Sequence, residues 1–377
     1  MKIPEATSGT QTGDGFDDLF AYVKAELNFL RLPYFATCKS AQSRFLELIE
    51  IVERDGFKKK IEWRVVPDPR LGLPGAIERN VMMWILKRID EARPSPNAPV
   101  PIWLDIGSLY AISTELGIQP GGEALARIRK AIKKLGATNC ISQGAFYNKA
   151  TQSYVESGEV FTFLAGWRFK GAVYDGKVWE VNEVSIHPLI RQNLDVFYVK
   201  TLDWYLLRSL EIEIAALLYP HLSCVFHGLR RDQEYVELAY SWLAQRLGIK
   251  VWDDLREAKK QLKYAHQELL NKGYLSNVKW VGNKIQYFPG LRANAETSRQ
   301  RQRKRAVPPK RAQQLVIPTL EKVKEIVDLR ANEIAYQTTK LKMGRSLNLE
   351  RLAQLDITPE EVYAALGTNQ DAPGTST

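Results

Sequence analysis

Sulfur and imidazole are scarce in this chain: 377 residues carry three cysteines, four methionines and four histidines. Cys38, Cys140 and Cys224 lie far apart and are odd in number. That excludes a disulfide scaffold and predicts reduced, packed thiols in a cytoplasmic protein. The histidines are His187, His221, His227 and His266. No two stand at HExxH spacing, and no His-hydrophobic-His pair offers a metal for DNA nicking. His221, Cys224 and His227 lack a fourth ligand and are expected to be packing or loop residues, so no metal is expected. There is no GxxxxGK[ST] phosphate loop. No acidic pair singles itself out as a nuclease centre, and Cys140 falls in an expected strand. The sequence therefore predicts no enzyme and no cofactor. Long apolar runs are missing too; the richest stretch, Ile212 to Leu218, is broken by Glu213, so no membrane span is expected. The first residues lack an apolar secretory core.

What is present is a globular composition with a basic surplus. Hydrophobic residues make up 45% and charged residues 25%, enough to build packed cores. The length suggests two domains with accessory segments. Lys and Arg number 53 against 43 Asp and Glu, a net charge of +10. With no anchor, that surplus favours nucleic acid over an anionic membrane as partner.

Residues 1–15 are rich in Thr, Ser and Gly and read as a disordered tail; 16–70 read as an N-terminal extension. Within the extension, apolar spacing predicts helices over 16–35 and 40–54, a turn at Asp55-Gly56, and a strand through Ile61, Trp63 and Val65. A helix is expected from Gly75 to Ala92. A first unit, 71–186, continues with a short strand at 102–107, a helix at 108–117, a turn, and a helix from Glu123 to Leu135. Strand-like segments follow at 138–147, 159–168 and 177–185, with the hairpin signal Asp175-Gly176. A second unit, 187–290, repeats the order: helices at 202–219, Tyr235–Leu247 and Asp253–Lys272, then a hairpin about Val281-Gly282-Asn283. Glu115-Leu116-Gly117-Ile118 matches Arg246-Leu247-Gly248-Ile249, each followed by a basic amphipathic helix. The expected fold is α+β and helix-rich, with two tandem winged helix-turn-helix domains and helical extensions at both ends. Residues 291–317 read as a flexible basic linker, 318–367 as a C-terminal helical segment, and 368–377 as a loose tail. Trp63, Trp84, Trp103, Trp179, Trp204, Trp242 and Trp280 are expected to fill cores.

The two basic helices carry the candidate chemistry. In the first, Leu125, Ile128, Ile132 and Leu135 form one stripe, while Arg127, Lys130 and Lys134, with Arg129 and Lys133 beside them, face away. In the second, Leu255, Ala258, Leu262, Ala265 and Leu269 form the stripe; Arg256, Lys260, Lys263 and Gln267 share another face, with Lys259 adjacent. A helix fits the major groove, where Arg reads the O6/N7 edge of guanine and Gln the edge of adenine. A solvated basic face is the plainer reading of either helix alone. Its recurrence at the same place in two units favours double-stranded DNA as the partner. Lys279 and Lys284 flank the second hairpin tip, as backbone contacts or as solubilising charges. Residues 292–311 hold eight basic residues and one acid, Glu296. This tract, with Arg301, Arg303, Lys304 and Arg305, is either a phosphate-contacting segment or a tether.

The chain resembles the iteron-binding initiators of bacterial plasmid replication, the RepA or replication initiator protein A type. The likeness rests on IWLDIGSLYAISTELGI and GGEALARIRKAIKKLGATNCI in the first half. In the second half it rests on WYLLRSLEIEIAALLYPHL, SWLAQRLGI and LREAKKQLKYAHQELLNKGYL, and it spans roughly residues 70–290. The resemblance implies a non-enzymatic DNA binder that recognises origin repeats, helps open the origin and recruits the host initiator and helicase. It also implies repression of its own promoter and a homodimer contact through the first winged helix. A transcriptional regulator of a mobile element, or a DNA-gripping subunit of a defence or transposition complex, would share the same residues.

Overall fold

The computed structural model describes residues 22–37, 44–54, 56–95, 98–156, 158–174, 176–230 and 233–306, with scattered positions between 334 and 362. Both expected loose tails, and most of the expected C-terminal helical segment, lie outside the described residues. Residues up to Lys304 form one unit and 305–377 a second. In the second, Leu352, Ile357 and Val362 form a small apolar cluster with Ile334 and Leu341.

Over the described parts of 16–35 and 40–54, the two helices expected in the N-terminal extension are replaced by other elements. The chain makes strand β1 (Tyr22–Glu26), a short helix α1 (Leu27–Arg31), and a hairpin of β2 (Leu46–Arg54) and β3 (Phe57–Val66). LELIEIVER alternates as well as it cycles, and pairing of all nine residues with β3 decides for the strand. Leu46 and Leu48 turn inward; Ile49 and Ile51 stay exposed. Gly56, at φ 77°, sits in the turn where a side chain would be strained.

The rest of the first half follows the expected order. Helix α2 (Ala76–Ala92) buries Val81, Met82, Met83, Ile85, Leu86 and Ile89. Strand β4 (Leu104–Asp105), helix α3 (Leu109–Glu115) and helix α4 (Gly122–Ala137) come next. Strands β5 (Asn139–Gln143), β6 (Tyr147–Asn148), β7 (Ser153–Tyr154) and β8 (Glu159–Thr162) follow, then β9 (Leu164–Arg168), β10 (Val173–Tyr174), β11 (Lys177–Val178) and β12 (Glu183–Ile186). β5 and β8 extend the N-terminal hairpin into a four-stranded sheet, β2-β3-β5-β8; a separate sheet runs β4-β12-β9. The β10–β11 hairpin lies between β9 and β12, with Gly176 at φ 74°.

The second half begins with α5 (Pro188–Asp195) and β13 (Val199–Asp203). β13 pairs antiparallel with β1 along all five residues, so the extension is part of the body rather than an appendage. The single helix expected over 202–219 is split. Asp203 caps α6 (Trp204–Ser209) by accepting from the Leu206 amide at 2.9 Å, and α7 (Glu213–His227) starts afresh. The helix expected from Tyr235 is instead strand β14 (Val236–Ala239) followed by α8 (Tyr240–Arg246). Helix α9 (Leu255–Asn271) and strands β15 (Leu275–Val281) and β16 (Lys284–Pro289) complete a sheet of order β14-β16-β15.

Residues 291–306, the first part of the expected flexible linker, form helix α10 (Leu291–Ala306). Its start is anchored: Arg292 pairs with Asp203 at 3.0 Å, and the buried Glu296 accepts from Ser223 and, at 3.2 Å, from Tyr219. Lys200, also buried, lies 3.7 Å from Glu296. One continuous core runs from Val23 to Ala293, with Trp63, Trp204, Phe146, Phe163, Tyr219 and Tyr274 fully enclosed. Trp103, Trp179, Trp242 and Trp280 are only half-buried and act as platforms for cations. Arg168, for example, lies 3.7 Å from the Trp103 ring centre and 4.4 Å from that of Trp179.

Candidate nucleic-acid interface

The repeat noticed in the sequence is a repeat of backbone geometry. After α3, Gly117 sits at φ 70°; after α8, Gly248 sits at φ 64°. The Ile118 amide donates to Ser113 O and the Ile249 amide to Ala244 O. Gly117 donates to Thr114 O and Gly248 to Gln245 O. Both helices thus end in the same left-handed turn, which glycine adopts without the Cβ penalty. Each turn delivers a helix with a strong apolar stripe, α4 or α9, and each is followed by strands that close a three-stranded sheet with the last strand in the middle.

In α9 the side chains divide sharply. Ala258, Leu262, Ala265, His266 and Leu269 are buried. Arg256, Lys259, Lys260, Lys263 and Gln267 are exposed, and at 100° per residue the row from Arg256 to Gln267 lies opposite the stripe. Asp254 caps the start by accepting from the Arg256 amide at 2.8 Å. Among the described residues the ion pair found along this row is Glu257 with Lys260 at 3.8 Å, a surface pair worth little. Gln267 donates to Asn271 at 2.8 Å, so its amide has a local partner. Tyr264, 66% exposed and next to Lys260 on the same face, was missed in the sequence; its helical position would have found it.

In α4 the expected set is not all delivered. Ala124, Ile128, Ala131, Ile132 and Leu135 are buried, and Arg127, Arg129, Lys130 and Lys133 are exposed. Lys134 is turned into the body: it lies 3.3 Å from Glu78 of α2 and donates to Leu73 O at 3.0 Å. It falls on the flank of α4 that α2 covers, so its charge is spent inside the molecule and it leaves the candidate set. Arg129 sits over the Phe169 ring at 4.9 Å, a support from outside the helix that spacing could not reveal.

At the second hairpin, Lys279 is exposed and 5.1 Å from the Phe288 ring centre. Lys284 is held by Glu237 at 2.8 Å, which raises its pKa and Gln286 shares the same carboxylate. That pairing satisfies the ammonium on its own sheet, so Lys284 is a weaker candidate than expected. Arg301, Arg303, Lys304 and Arg305 all lie on α10, but their side chains are outside what is described.

Among the described residues no group of three His, Cys, Asp or Glu could hold a metal ion, and no helix is long and apolar enough to cross a membrane. His221 and His266 are buried, and burial pulls both down to a pKa of about 4. Cys140 is enclosed, and burial raises its thiol well above the usual range.

No protein-family model matches the sequence, and no curated protein matches it. Among solved structures, a selenomethionine crystal structure of domains 2 and 3 of RctB is similar at 11% identity, over 68% of this chain and 94% of that one, with a TM-score of 0.43. A second structure of RctB domains 2–3 is 13% identical over 70% of this chain and 97% of that one, with a TM-score of 0.38.

Proposed function

We propose that this chain is a sequence-specific double-stranded DNA-binding protein built on two tandem winged helices. In this reading α4 and α9 are the recognition helices, β9–β12 and β15–β16 the flanks of the wings, and no reaction is catalysed. The observation that carries it is the row of Arg256, Lys260, Lys263 and Gln267, exposed along a helix whose opposite face is wholly packed. Arginine and lysine on such a row reach guanine edges or phosphates, and Gln267 would give up its bond to Asn271 to pair with adenine. Arg127, Arg129, Lys130 and Lys133 supply the second contact; Lys279 and the basic stretch of α10 add phosphate contacts.

Within that class, the proposed role is initiation of plasmid-type replication in the bacterial cytoplasm. Repeated origin sites would be bound, adjacent DNA opened, and the host initiator and helicase recruited. Repression of its own promoter and a homodimer through the first winged helix belong to the same proposal. Selection of binding sites from a random pool with purified protein tests the first level. Direct repeats are expected, and an absence of sequence preference would point instead to a gripping subunit of a larger nucleoprotein complex. Strand opening on supercoiled DNA carrying the selected sites tests the second; specific binding without opening would leave a transcriptional regulator.

A further inference from the structure

Away from the basic faces, a cavity of about 310 Å³ opens between α1, the β2–β3 hairpin, β6–β7, α7 and α8. Three arginines line it, Arg31, Arg54 and Arg246, and no carboxylate does. Arg246 is held by Glu50 and donates to Arg31 O at 3.1 Å. Arg54 donates to Gly144 O at 2.7 Å and lies 3.3 Å from the Tyr154 ring centre. Neither Arg31 nor Arg54 has an ion-pair partner among the described residues, and Arg31 is exposed at the mouth. Two guanidinium groups without an ion-pair partner in the lining of one cavity suit a phosphate or carboxylate.

The remaining lining is aromatic. Tyr147, Tyr154 and Tyr198 cluster with ring centres 4.9 and 5.4 Å apart, and Trp242 is also in the lining. His221, 2% exposed, is also in the lining. Its Nδ1 donates to Leu30 O at 3.3 Å, which fixes Nε2 as an acceptor; that Nε2 is buried with no partner among the described residues. An acceptor left without a donor in a buried place costs free energy. The cavity thus offers cations for an anionic group and rings for a planar group. Its volume is at the small end of the roughly 300–1,000 Å³ of ligand pockets, enough for one ring system and one phosphate.

We propose that this cavity is a binding site for a free nucleoside monophosphate, with Arg31 and Arg54 on the phosphate and the aromatic lining against the base. The site shares no residue with the cations of α4 and α9, so it stands or falls independently of the DNA-binding reading.

Isothermal titration of the full chain tests it, with AMP and inorganic phosphate as probes. AMP is expected to bind saturably and more tightly than phosphate. Arg31→Gln is expected to weaken AMP about tenfold or more, the loss of one charge-assisted hydrogen bond, with thermal melting of the free protein unchanged. If Arg31→Gln does not fold, Arg54→Gln serves the same purpose, and Lys263→Ala should leave AMP affinity as it was. No saturable binding of AMP, or equal AMP affinity in wild type and the arginine variant, overturns the site. Equal affinity for AMP and phosphate overturns the nucleotide assignment. Tighter binding of a 5′-phosphorylated tetranucleotide than of AMP, again lost in Arg31→Gln, overturns the free ligand in favour of a strand end.

Discussion

Lys130 and Lys134 stand one turn apart on α4, one exposed and one paired with Glu78, which makes the pair a sharp test of the proposed interface. Lys134 is 14% exposed and Glu78 11%, with 3.3 Å between them, and Lys134 also satisfies Leu73 O. Breaking a fully buried pair costs about 3–5 kcal/mol, and an exposed pair about 0–1 kcal/mol. This pair lies between those limits, and Glu78 keeps one partner, the Gly75 amide at 2.6 Å. Lys134→Ala should therefore destabilise the body by about 2 kcal/mol, which lowers a melting temperature by roughly 3–4 °C in a body of this size. DNA affinity, measured on folded protein well below that temperature, should hardly change. Lys130→Ala should do the reverse. Melting stays put, while binding weakens and the slope of log affinity against log salt falls by about 0.9 if the ammonium meets a phosphate. Calorimetric melting and fluorescence anisotropy at several salt concentrations read both effects. If Lys134→Ala melts with wild type and loses DNA as Lys130→Ala does, the orientation assigned to α4 is wrong.

Replacing Arg256, Lys260 and Lys263 together with Ala should weaken specific DNA binding by about 1–3 kcal/mol for each base-reading contact, with the far-ultraviolet dichroism unchanged; unaltered anisotropy titrations would remove α9 from the interface. Gly248→Ala should cost about 2 kcal/mol in urea unfolding: φ is 64°, where a left-handed residue costs about 1–2 kcal/mol, and the new Cβ would lie 3.3 Å from Phe35 O. Gly117→Ala, at φ 70° with Arg208 no nearer than 3.8 Å, should cost only the conformational part, about 1 kcal/mol; equal losses would refute the packing difference. His266 has a folded pKa near 4 against 6.5 when free. Between those values the unfolded chain binds the extra proton, so its contribution to stability is intact above pH 6.5 and is lost as pH falls toward 4. Relative to His266→Gln, the wild type should lose up to roughly 3 kcal/mol over that range; parallel pH profiles in urea melts would show that the imidazole is not protected from protonation.

Helices α2, α4 and α9 were legible in the sequence because one packed face imposes a 3.6-residue repeat that needs no knowledge of the partner. The β15–β16 turn was equally plain: Gly282 adopts φ 58° beside Asn283, a local requirement written in two residues. β2 was misread because Leu46, Ile49 and Val52 satisfy a helical repeat while Leu46 and Leu48 satisfy a strand, and only the pairing with β3 and the Trp63 core choose between them. β14 was hidden because its partner β16 lies far along the chain. Charge placement was only half legible. Periodicity says which face of α4 points away from its own stripe, but whether a flank meets solvent or Glu78 depends on where α2 crosses. The arginine-lined cavity left no trace at all, because residues 31, 54, 221 and 246 come from four separate elements and share no spacing.

The clasp of β1 on β13 has a consequence for how any duplex is met. The first strand of the chain is sewn into the second half, and Glu50 on the hairpin grips Arg246 and Trp242 of α8. In the proposed reading the two recognition helices are therefore mounted on one frame, and their separation behaves as a built-in gauge. Inserting about 5 base pairs, half a turn of B-form duplex, between the proposed subsites is expected to carry one of them round to the far side of the duplex, away from the helix that would read it.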